Sequence, residues 1–319
     1  VPNGRLALQA IRGEKPDLIL LDINMPEMDG YEICRRLKND RNLREIPILF
    51  ISALSMTEEK LKAFDVGGVD YITKPFQLEE VKARVETHLK LYRLQMSLSE
   101  QVEKQVKEIT KLQMGMIFGL AKLAETRDND TGKHLERIQI LCKLFAEHLY
   151  KNRQYSNHID DDYQNRIFHA SPLHDIGKVG IPDHILLKPG KLTPDEFEIM
   201  KTHAAIGART LEEVQMRYKA NDFLEMGIKI ARSHHEKWNG AGYPDGLAGT
   251  EIPLCARIMA VVDVYDAVRS KRVYKPAFPH EKASEIILSD SGSHFDPELV
   301  ENYKQLEETF EMVWKEFKD

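Results

Sequence analysis

Long hydrophobic runs and clustered cysteines are both missing from this sequence. Its longest apolar runs, such as residues 46–51, are far shorter than the roughly 18 residues that a membrane span requires. No secretory leader opens the chain, and Cys34, Cys142 and Cys255 match neither a disulfide framework nor a CxxC metal site. We therefore set aside membrane-inserted, secreted and structural-zinc proteins, and we expect a cytoplasmic protein.

An excess of positive charge is missing as well. The 319 residues carry 45 lysines and arginines against 51 aspartates and glutamates, which gives a net charge of -6. This acidic balance, together with the absence of a candidate basic recognition helix, argues against a DNA-binding protein. A local basic pocket for a small anionic ligand remains open, and the length allows two or three domains.

Short apolar runs alternate with helical patterns in the first quarter of the chain. Runs that are apolar at every position are typical of strands buried on both faces of a parallel sheet. The sequence predicts strands at residues 18–21, 46–51 and 70–73, and helices at residues 31–38, 58–64 and 78–91. Strands that alternate with helices of this length indicate right-handed βαβ units and an α/β fold.

A polar residue closes each of the three predicted strands: Asp22, Ser52 and Lys74. The carboxyl ends of parallel strands meet at one edge of the sheet, where ligands gather. A carboxylate, a hydroxyl and an ammonium at this edge could accept a phosphoryl group and hold its oxygens. The alternative is that Asp22 caps the next helix and Lys74 is solvated.

Two motifs resemble the receiver domain of two-component response regulators: DINMPEMDG, which starts at Asp22, and DYITKPF at residues 70–76. The resemblance implies a flavodoxin-like parallel sheet, phosphorylation of Asp22 by a sensor histidine kinase, a switch hydroxyl on Ser52 and a phosphate-facing Lys74. Receivers begin with a central strand and an acidic pair that binds Mg²⁺, and this sequence has neither. We expect that the natural protein contains both, so that Mg²⁺ supports phosphorylation; the alternative is a damaged receiver.

A region without proline follows, between residues 81 and 123. Apolar residues recur there at heptad spacing, interrupted by Gln105 and Gly119, and they are Leu98, Val102, Ile109, Leu112, Met116 and Leu123. This seam is flanked by charged residues and predicts a long helix that pairs with its twin in a parallel coiled-coil homodimer. The alternative is a lone amphipathic helix that lies on its own domain.

Histidines are concentrated in the remainder of the chain, because eleven of the twelve follow residue 125. Several lie near residues with which they share a face if helical, namely Asp130 with His134 and His174 with Lys178. Asp263 lies in an apolar stretch, where an unpaired buried carboxylate would be costly and a bound metal would offset that cost. A single histidine on a helix is more often a core or surface residue, and seven histidines keep that interpretation.

The other five histidines and the nearby carboxylates, with no thiolate among them, form a ligand set for iron, manganese or another divalent ion. The imidazoles belong to His134, His174, His203, His234 and His235, and the carboxylates to Asp130, Asp175 and Asp263. This set is too large for one ion, so the sequence predicts a bridged pair. Two ions about 3.5–4 Å apart form a clamp for in-line attack on phosphorus.

Two further motifs resemble the HD-GYP family, a branch of the HD-domain phosphohydrolases: HDIGK, which starts at His174, and HHEKWNGAGYP, which starts at His234. The resemblance implies an all-α domain that hydrolyses cyclic di-GMP to pGpG, GMP or both. It places metal-ligand roles on His134, His174, Asp175, His203, His234, His235 and Asp263, with Asp175 as the bridge. The expected organisation is a receiver at residues 1–92, a coiled-coil linker helix at 93–116 and an HD-GYP domain at 117–319.

Substrate contacts are expected beside this ligand set. Lys178 is the candidate for phosphate contact or for proton donation to the leaving oxygen, and the resemblance implies a pocket role for Tyr243 in a glycine-rich loop. Arg272 and Lys275 match family residues that bind the second phosphate and guanine, provided that the helix carrying Asp263 ends before Arg272. The alternatives are a solvated lysine, a structural turn and a solvated basic loop.

A third ion depends on Asp130. Some family members bind a third ion through a glutamate four residues before the first ligand histidine, which is the position of Asp130 relative to His134. Aspartate carries the same charge but reaches one methylene less. The alternative is that Asp130 caps a helix N-terminus.

We therefore expect a response regulator whose output domain is a cyclic di-GMP phosphodiesterase. One alternative, from the binding class, is a catalytically silent HD-GYP domain that senses the nucleotide or recruits partners. It is disfavoured because no expected ligand position is occupied by an apolar residue. The other alternative is a phosphohydrolase that acts on a different cyclic dinucleotide.

Overall fold

The chain folds into two compact units, Val1–Thr110 and Lys111–Asp319. The computed structural model describes residues 1, 3–53, 57–128, 133–152, 155, 158–218, 222–270 and 277–318. None of the helices in these ranges is long and apolar enough to cross a membrane.

The first unit contains a parallel sheet of three described strands. Their order is β1 (Ile19–Asp22), β2 (Ile48–Ser52) and β3 (Asp70–Thr73), and they alternate with helices α1 (Gly4–Gly13), α2 (Gly30–Asn39) and α3 (Thr57–Asp65). The register pairs Asp22 with Ile51 and Ser52 with Thr73, so the carboxyl ends meet at one edge. The α/β fold predicted from the sequence is confirmed.

Strand β2 lies between the other two strands, and both of its faces are covered. Ile48, Leu49 and Phe50 are completely buried. The ring of Tyr31 on α2 packs against Phe50, with 5.4 Å between the ring centroids. Burial on both faces explains why this run is apolar at every position instead of alternating with polar residues.

Helix α4 is one continuous helix, Leu78–Glu125. It combines the helix predicted after the last strand with the long helix predicted from the heptad seam. The seam is exposed along its length; Leu98 and Leu112, for example, are 60% and 68% exposed. The described residues therefore leave the apolar side of α4 open to solvent.

Helices packed around a large apolar core and a smaller apolar cluster near α7 make up the second unit, as predicted for an all-α domain. They are α5 (His134–Lys151), α6 (Asp161–Ala170), α7 (Asp183–Leu186), α8 (Pro194–Tyr218), α9 (Asp222–Ser233), α10 (Leu254–Arg269), α11 (His280–Ser289) and α12 (Pro297–Glu316). Helix α10 is apolar around most of its circumference, and Ile258, Met259 and Val262 on it are completely buried. A helix of this kind belongs in the middle of a bundle.

Two short 3₁₀ turns connect α6 to α7, at Ser171–Leu173 and Ile176–Gly180. The HDIGK motif lies across the break between these turns. The expectation that His174 and Lys178 share one face of a helix is therefore wrong. The second turn packs closely against α8 at Gly177, where a side-chain carbon would overlap the backbone of His203 and Gly207.

All three cysteines are free and buried. Cys34 lies in the core of the first unit, and Cys142 and Cys255 lie in the core of the second. Burial raises the pKa of the Cys34 and Cys255 thiols to about 11, and it raises the pKa of Cys142 as well.

Candidate metal centre

Seven side chains that the sequence singles out as metal ligands lie together in the second unit. Their ligand atoms form two groups, each compact enough to hold an ion: Asp175, His203, His234 and His235 in the first group, and His134, His174 and Asp263 in the second. They come from the start of α5, the 3₁₀ region, α8, the segment after α9, and α10. Their role as ligands stays a prediction.

Asp175 lies between the histidines of both groups. Its Oδ1 is 3.3 Å from Nε2 of His203 and 3.7 Å from Nε2 of His234, and its Oδ2 is 3.3 Å from Nε2 of His174. Burial alone would raise the pKa of Asp175, but Lys178, whose Nζ is 2.8 Å from Oδ2, holds that pKa well below its ordinary value. Asp175 is therefore an ionised carboxylate that lies within 3.3–3.7 Å of histidines from both groups.

Backbone carbonyls orient three of the histidines. The Nδ1 atoms of His174, His203 and His234 lie 2.9, 2.7 and 3.0 Å from the carbonyl oxygens of Ser171, Met200 and Ile230. Because a carbonyl oxygen only accepts, each Nδ1 carries a proton, and in the neutral ring that binds a metal each Nε2 would present a lone pair.

Whether the residues fit a metal can be tested on four atoms: the three Nε2 atoms and Oδ1 of Asp175. All four atoms are buried and have no hydrogen-bond partner among the described residues. Buried polar atoms without partners are rare in folded proteins. Divalent ions would satisfy all four, since imidazole lone pairs and carboxylate oxygens are common ligands of such ions. The residues present therefore fit a metal centre.

His235 and Tyr243 adjoin each other at the side of the first group. Their rings are tilted by 36° with centroids 4.8 Å apart, and the backbone N–H of Tyr243 donates to the carbonyl of His235. Burial, and then repulsion from His234, holds the pKa of His235 well below its ordinary value. His235 is thus a neutral imidazole, the form that binds a metal.

The buried carboxylate of α10 is not the one that the sequence indicated. Asp263 is half-buried and lines a cavity, whereas Asp266, one turn later, is only 1% exposed. Asp266 faces α5, where its carboxylate accepts hydrogen bonds from His134 and Arg137. The expectation that Asp263 is the costly buried carboxylate is therefore wrong, because Asp266 is the carboxylate that is completely buried.

Arg137 was also missed, although the sequence contains a signal for it. It is completely buried and recurs at helical spacing with Leu141 and Phe145 on the apolar side of α5. A cation on the buried side of a helix requires an acidic partner, because burial of an unpaired charge is too costly. The sequence does not reveal that this partner is Asp266.

Glu236 fixes the glycine-rich loop that carries Tyr243. Its side chain is buried, and its carboxylate accepts the backbone N–H groups of Asp245, Gly246 and Leu247 at 2.7, 3.1 and 3.1 Å. In the sequence, Glu236 stands out only as the third residue of the HHEKWNGAGYP motif. No pattern along the chain predicts that three backbone N–H groups converge on this carboxylate.

A cavity of ≈ 400 Å³ opens onto both ligand groups. Lys178 and Tyr243 line it, as expected, and so do Glu125, Met200 and His294, which the sequence did not assign to the site. The volume lies within the range of about 300–1,000 Å³ that is typical of small-molecule sites.

Three expected residues, Asp130, Arg272 and Lys275, lie outside the described residues. Helix α10 ends at Arg269, so the helix that carries Asp263 does end before Arg272, as the expected contact requires.

The residues expected to take part in receiver phosphorylation lie at one edge of the sheet in the first unit. Nζ of Lys74 is 2.5 Å from Oδ2 of Asp22. Ser52 ends β2 and is buried, and its carbonyl accepts the backbone N–H of Lys74 at 2.7 Å. Phosphorylation at Asp22 stays a prediction.

Comparisons with known proteins agree with this organisation. The family model described as HD domain matches residues 120–299, and the model described as response regulator receiver domain matches residues 1–86. A protein of Vibrio cholerae named as a probable cyclic di-GMP phosphodiesterase is 43% identical over 99% of this chain and 74% of its own length.

Two further relatives also match most of the chain. The cyclic di-GMP phosphodiesterase response regulator RpfG of Xanthomonas campestris pv. campestris is 38% identical over 92% of this chain and 76% of its own length. A cyclic di-GMP phosphodiesterase of Thermotoga maritima is 35% identical over 99% of this chain and 85% of its own length. The chain belongs to the HD-domain family and carries a response regulator receiver domain ahead of the HD domain.

Proposed function

We propose that this protein is a metal-dependent cyclic di-GMP phosphodiesterase that hydrolyses the 3′,5′-phosphodiester to pGpG, GMP or both. The observation that carries the proposal is the pair of ligand groups that adjoin Asp175 in one cavity. The names of the three relatives support cyclic di-GMP as the substrate.

The ligand set favours two divalent ions. His203, His234 and His235 would hold one ion, and His134, His174 and Asp263 the other, with Asp175 between them. Imidazoles and carboxylates without a thiolate favour iron or manganese. When bound, the ions supply positive charge at the phosphoryl oxygens and a more acidic water, which is the chemistry that phosphodiester hydrolysis needs.

Lys178 would contact the phosphate or protonate the leaving 3′-oxygen. Its ammonium lines the cavity and is held 2.8 Å from Oδ2 of Asp175, next to the place where the reacting phosphate must bind. An ammonium has three donors, so Lys178 can keep Asp175 and still donate to a substrate oxygen.

The rest of the nucleotide would lie along Tyr243, Arg272 and Lys275. Tyr243 lines the cavity and lies edge-on to the exposed ring of Phe197, with 6.3 Å between the ring centroids, so Tyr243 would offer its aromatic ring to a base. The roles of Arg272 and Lys275 at the second phosphate and guanine rest on the family pattern.

A third ion held by Asp130 is a further proposal about the metal content. Elemental analysis of anaerobically prepared wild type and Asp130→Ala tests it. A count near three that falls to two in the variant supports ligation by Asp130, whereas the same count in both proteins contradicts it.

The receiver would regulate this activity. A cognate sensor histidine kinase would phosphorylate Asp22 with the help of Mg²⁺, and Lys74 is already beside Asp22 to meet the added phosphate. The exposed seam on α4 would pair two copies of the chain as a homodimer.

Turnover measurements on anaerobically purified protein test the proposed activity. The protein is supplied with Mn²⁺ or Fe²⁺, and release of pGpG and GMP from cyclic di-GMP is compared with hydrolysis of 3′,3′-cyclic GMP-AMP; metal-free protein is the control. Faster hydrolysis of cyclic di-GMP supports the proposal. Preference for the other dinucleotide contradicts the substrate assignment, and binding of cyclic di-GMP without turnover identifies a silent sensor.

A further inference from the structure

Asp266 makes a buried hydrogen-bonded cluster directly behind one of the proposed ligands. Its Oδ2 lies 2.7 Å from Nδ1 of His134, and its two oxygens lie 2.5 and 3.0 Å from Nε and Nη2 of Arg137. The hydroxyl of Ser270 adds a longer contact at 3.3 Å. The guanidinium of Arg137 always carries a charge and donates to both oxygens of Asp266, an arrangement that matches an ionised carboxylate. Asp266 is therefore a carboxylate anion.

This arrangement fixes the tautomer of His134. An ionised carboxylate only accepts, so Nδ1 of His134 donates to Asp266, and in the neutral ring that binds a metal Nε2 would then present its lone pair. The ring of His134 lies beside that of His174, with 5.5 Å between the centroids, so the lone pair belongs to the second ligand group. Asp266 itself lies outside both ligand groups.

The two ligand groups consequently differ in how their histidines are supported. His174, His203 and His234 donate to neutral backbone carbonyls, whereas His134 donates to a charged carboxylate. A carboxylate partner makes an imidazole a stronger metal ligand than a carbonyl partner does, and it also holds the ring in place.

Arg137 compensates the charge of Asp266 and connects the cluster to two other segments. It is completely buried, and its guanidinium donates to the carbonyl of Phe317 at 2.9 Å and to the hydroxyl of Ser270 at 3.2 Å. Ser270 follows the last residue of α10, immediately before the segment that contains Arg272 and Lys275. The same cluster thus supports His134 and fixes the point where that segment begins.

We infer that Asp266 is a positioning residue for the ion that His134, His174 and Asp263 would hold, and that occupancy of this one position depends on it. The inference rests on the proposed metal centre. It makes the two ions unequal: removal of the carboxylate weakens the ion beside His134 and leaves the ion beside His203 and His235 in place.

Mn²⁺ binding to the metal-free, full-length protein tests this inference without reference to turnover. Stoichiometry and affinity are measured by equilibrium dialysis with elemental analysis, and electron paramagnetic resonance separates coupled pairs from isolated ions. Wild type should bind at least two ions, and its spectrum should contain a coupled pair. Asp266→Asn places an NH₂ group where one oxygen accepted a hydrogen bond, so the second ion should bind about 10–100-fold more weakly and an isolated-ion spectrum should appear.

Arg137→Gln is the matched control, because it breaks the same buried pair from the other side. The Arg137→Gln variant keeps the Asp266 carboxylate behind His134. Its folded state should be destabilised as in Asp266→Asn, but it should still bind two coupled ions. Asp266→Ala gives an independent measurement if the asparagine variant does not fold. Added formate, which replaces the missing carboxylate, should restore the second ion to this variant and should leave the other proteins unchanged.

Three results would overturn the inference. They are two tightly bound, coupled ions in Asp266→Asn, equal loss of the second ion in Asp266→Asn and Arg137→Gln, and no effect of formate on Asp266→Ala. If wild type itself binds fewer than two ions, the proposed metal centre fails together with the inference. If wild type binds two ions and metal binding is either unchanged in Asp266→Asn or equally weakened in Asp266→Asn and Arg137→Gln, the inference fails but the proposed metal centre stands.

Discussion

Gly177 and His203 meet backbone to backbone: a side-chain carbon on Gly177 would overlap the carbonyl oxygen of His203. This approach brings the turn Ile176–Gly180 onto α8 and sets Asp175 beside the imidazole of His203. Neither side of the contact is a flexible side chain that could move away. The spacing between two proposed ligands therefore depends on the absence of a side chain at residue 177.

Gly177→Ala should separate the turn from α8 and lower turnover by about 100-fold, the loss expected from a displacement of about 1 Å in a catalytic site. The metal content should fall as well. Gly180→Ala is the matched control, because a carbon there would meet only the side chain of Ile206. Steady-state kinetics and elemental analysis of both variants check this prediction. Equal activity in the two variants would show that the close approach is unimportant.

His174→Ala and Asp175→Ala should each lose metal and nearly all hydrolysis. Each change removes a polar side chain from the ligand groups, and neither residue is one of the apolar residues that form the core. Circular dichroism should therefore report a helical content close to that of wild type. His184→Ala, an exposed histidine in the same unit, serves as the control. Full turnover in either ligand variant would place the metal centre elsewhere.

Glu236→Gln should raise the KM for cyclic di-GMP several-fold with little change in metal content. The glutamine NH₂ group cannot accept, so one or more of the three backbone N–H groups of the loop loses its partner and Tyr243 is held less firmly. Glu251→Gln, on an exposed carboxylate in the same region, is the control. Loss of metal in Glu236→Gln would instead indicate that the ligand groups themselves had moved.

Leu98→Glu combined with Leu112→Glu should convert the expected dimer to a monomer, because each change places a charge in the apolar seam of α4. The effect on basal hydrolysis should be smaller. Thr110→Glu adds the same charge outside the seam and should leave the dimer intact. Light scattering of the three proteins measures the mass. An unchanged dimeric mass in the double variant would show that other surfaces hold the chains together.

Asp70 should make the first unit sensitive to acid. Its carboxylate lies 2.8 Å from Arg84 and 3.2 Å from His88. Burial would raise the pKa of Asp70, but hydrogen bonds from Arg84, the backbone of Tyr71 and His88 lower it. A carboxylate with a lowered folded pKa stabilises the fold above its unfolded pKa, roughly 3.9, and this contribution is lost as the pH falls through the folded value.

Calorimetric melting of the first unit at pH 5 and pH 3 measures this effect. Wild type should lose more stability over this interval than Asp70→Asn, which has no carboxylate to protonate at that position. Asp65→Asn, on an exposed aspartate, should behave like wild type. An equal loss in wild type and Asp70→Asn would mean that the ion pair contributes nothing measurable.

The sequence predicts the strands and the helical pattern along α4 because both depend on local periodicity. The seven clustered side chains extend from His134 to Asp263, and the family resemblance, not local spacing, identifies them as a set. The sequence does not predict Asp266. Helix α10 is apolar on nearly all sides, so no periodicity shows which of its carboxylates turns inward, and Arg137 is 129 residues away from Asp266. The role of Glu236 is equally hidden, because it appears only when the loop closes on the carboxylate.

The buried cysteines can serve as built-in probes of local unfolding. A thiol-alkylating reagent reacts with thiolates that it can reach, and burial with a raised pKa denies it both conditions at Cys34 and Cys142. Modification therefore reports transient opening of the surrounding core. Since one of these cysteines lies in each unit, mass spectrometry of labelled peptides can time the opening of the receiver and of the HD domain separately in the same sample.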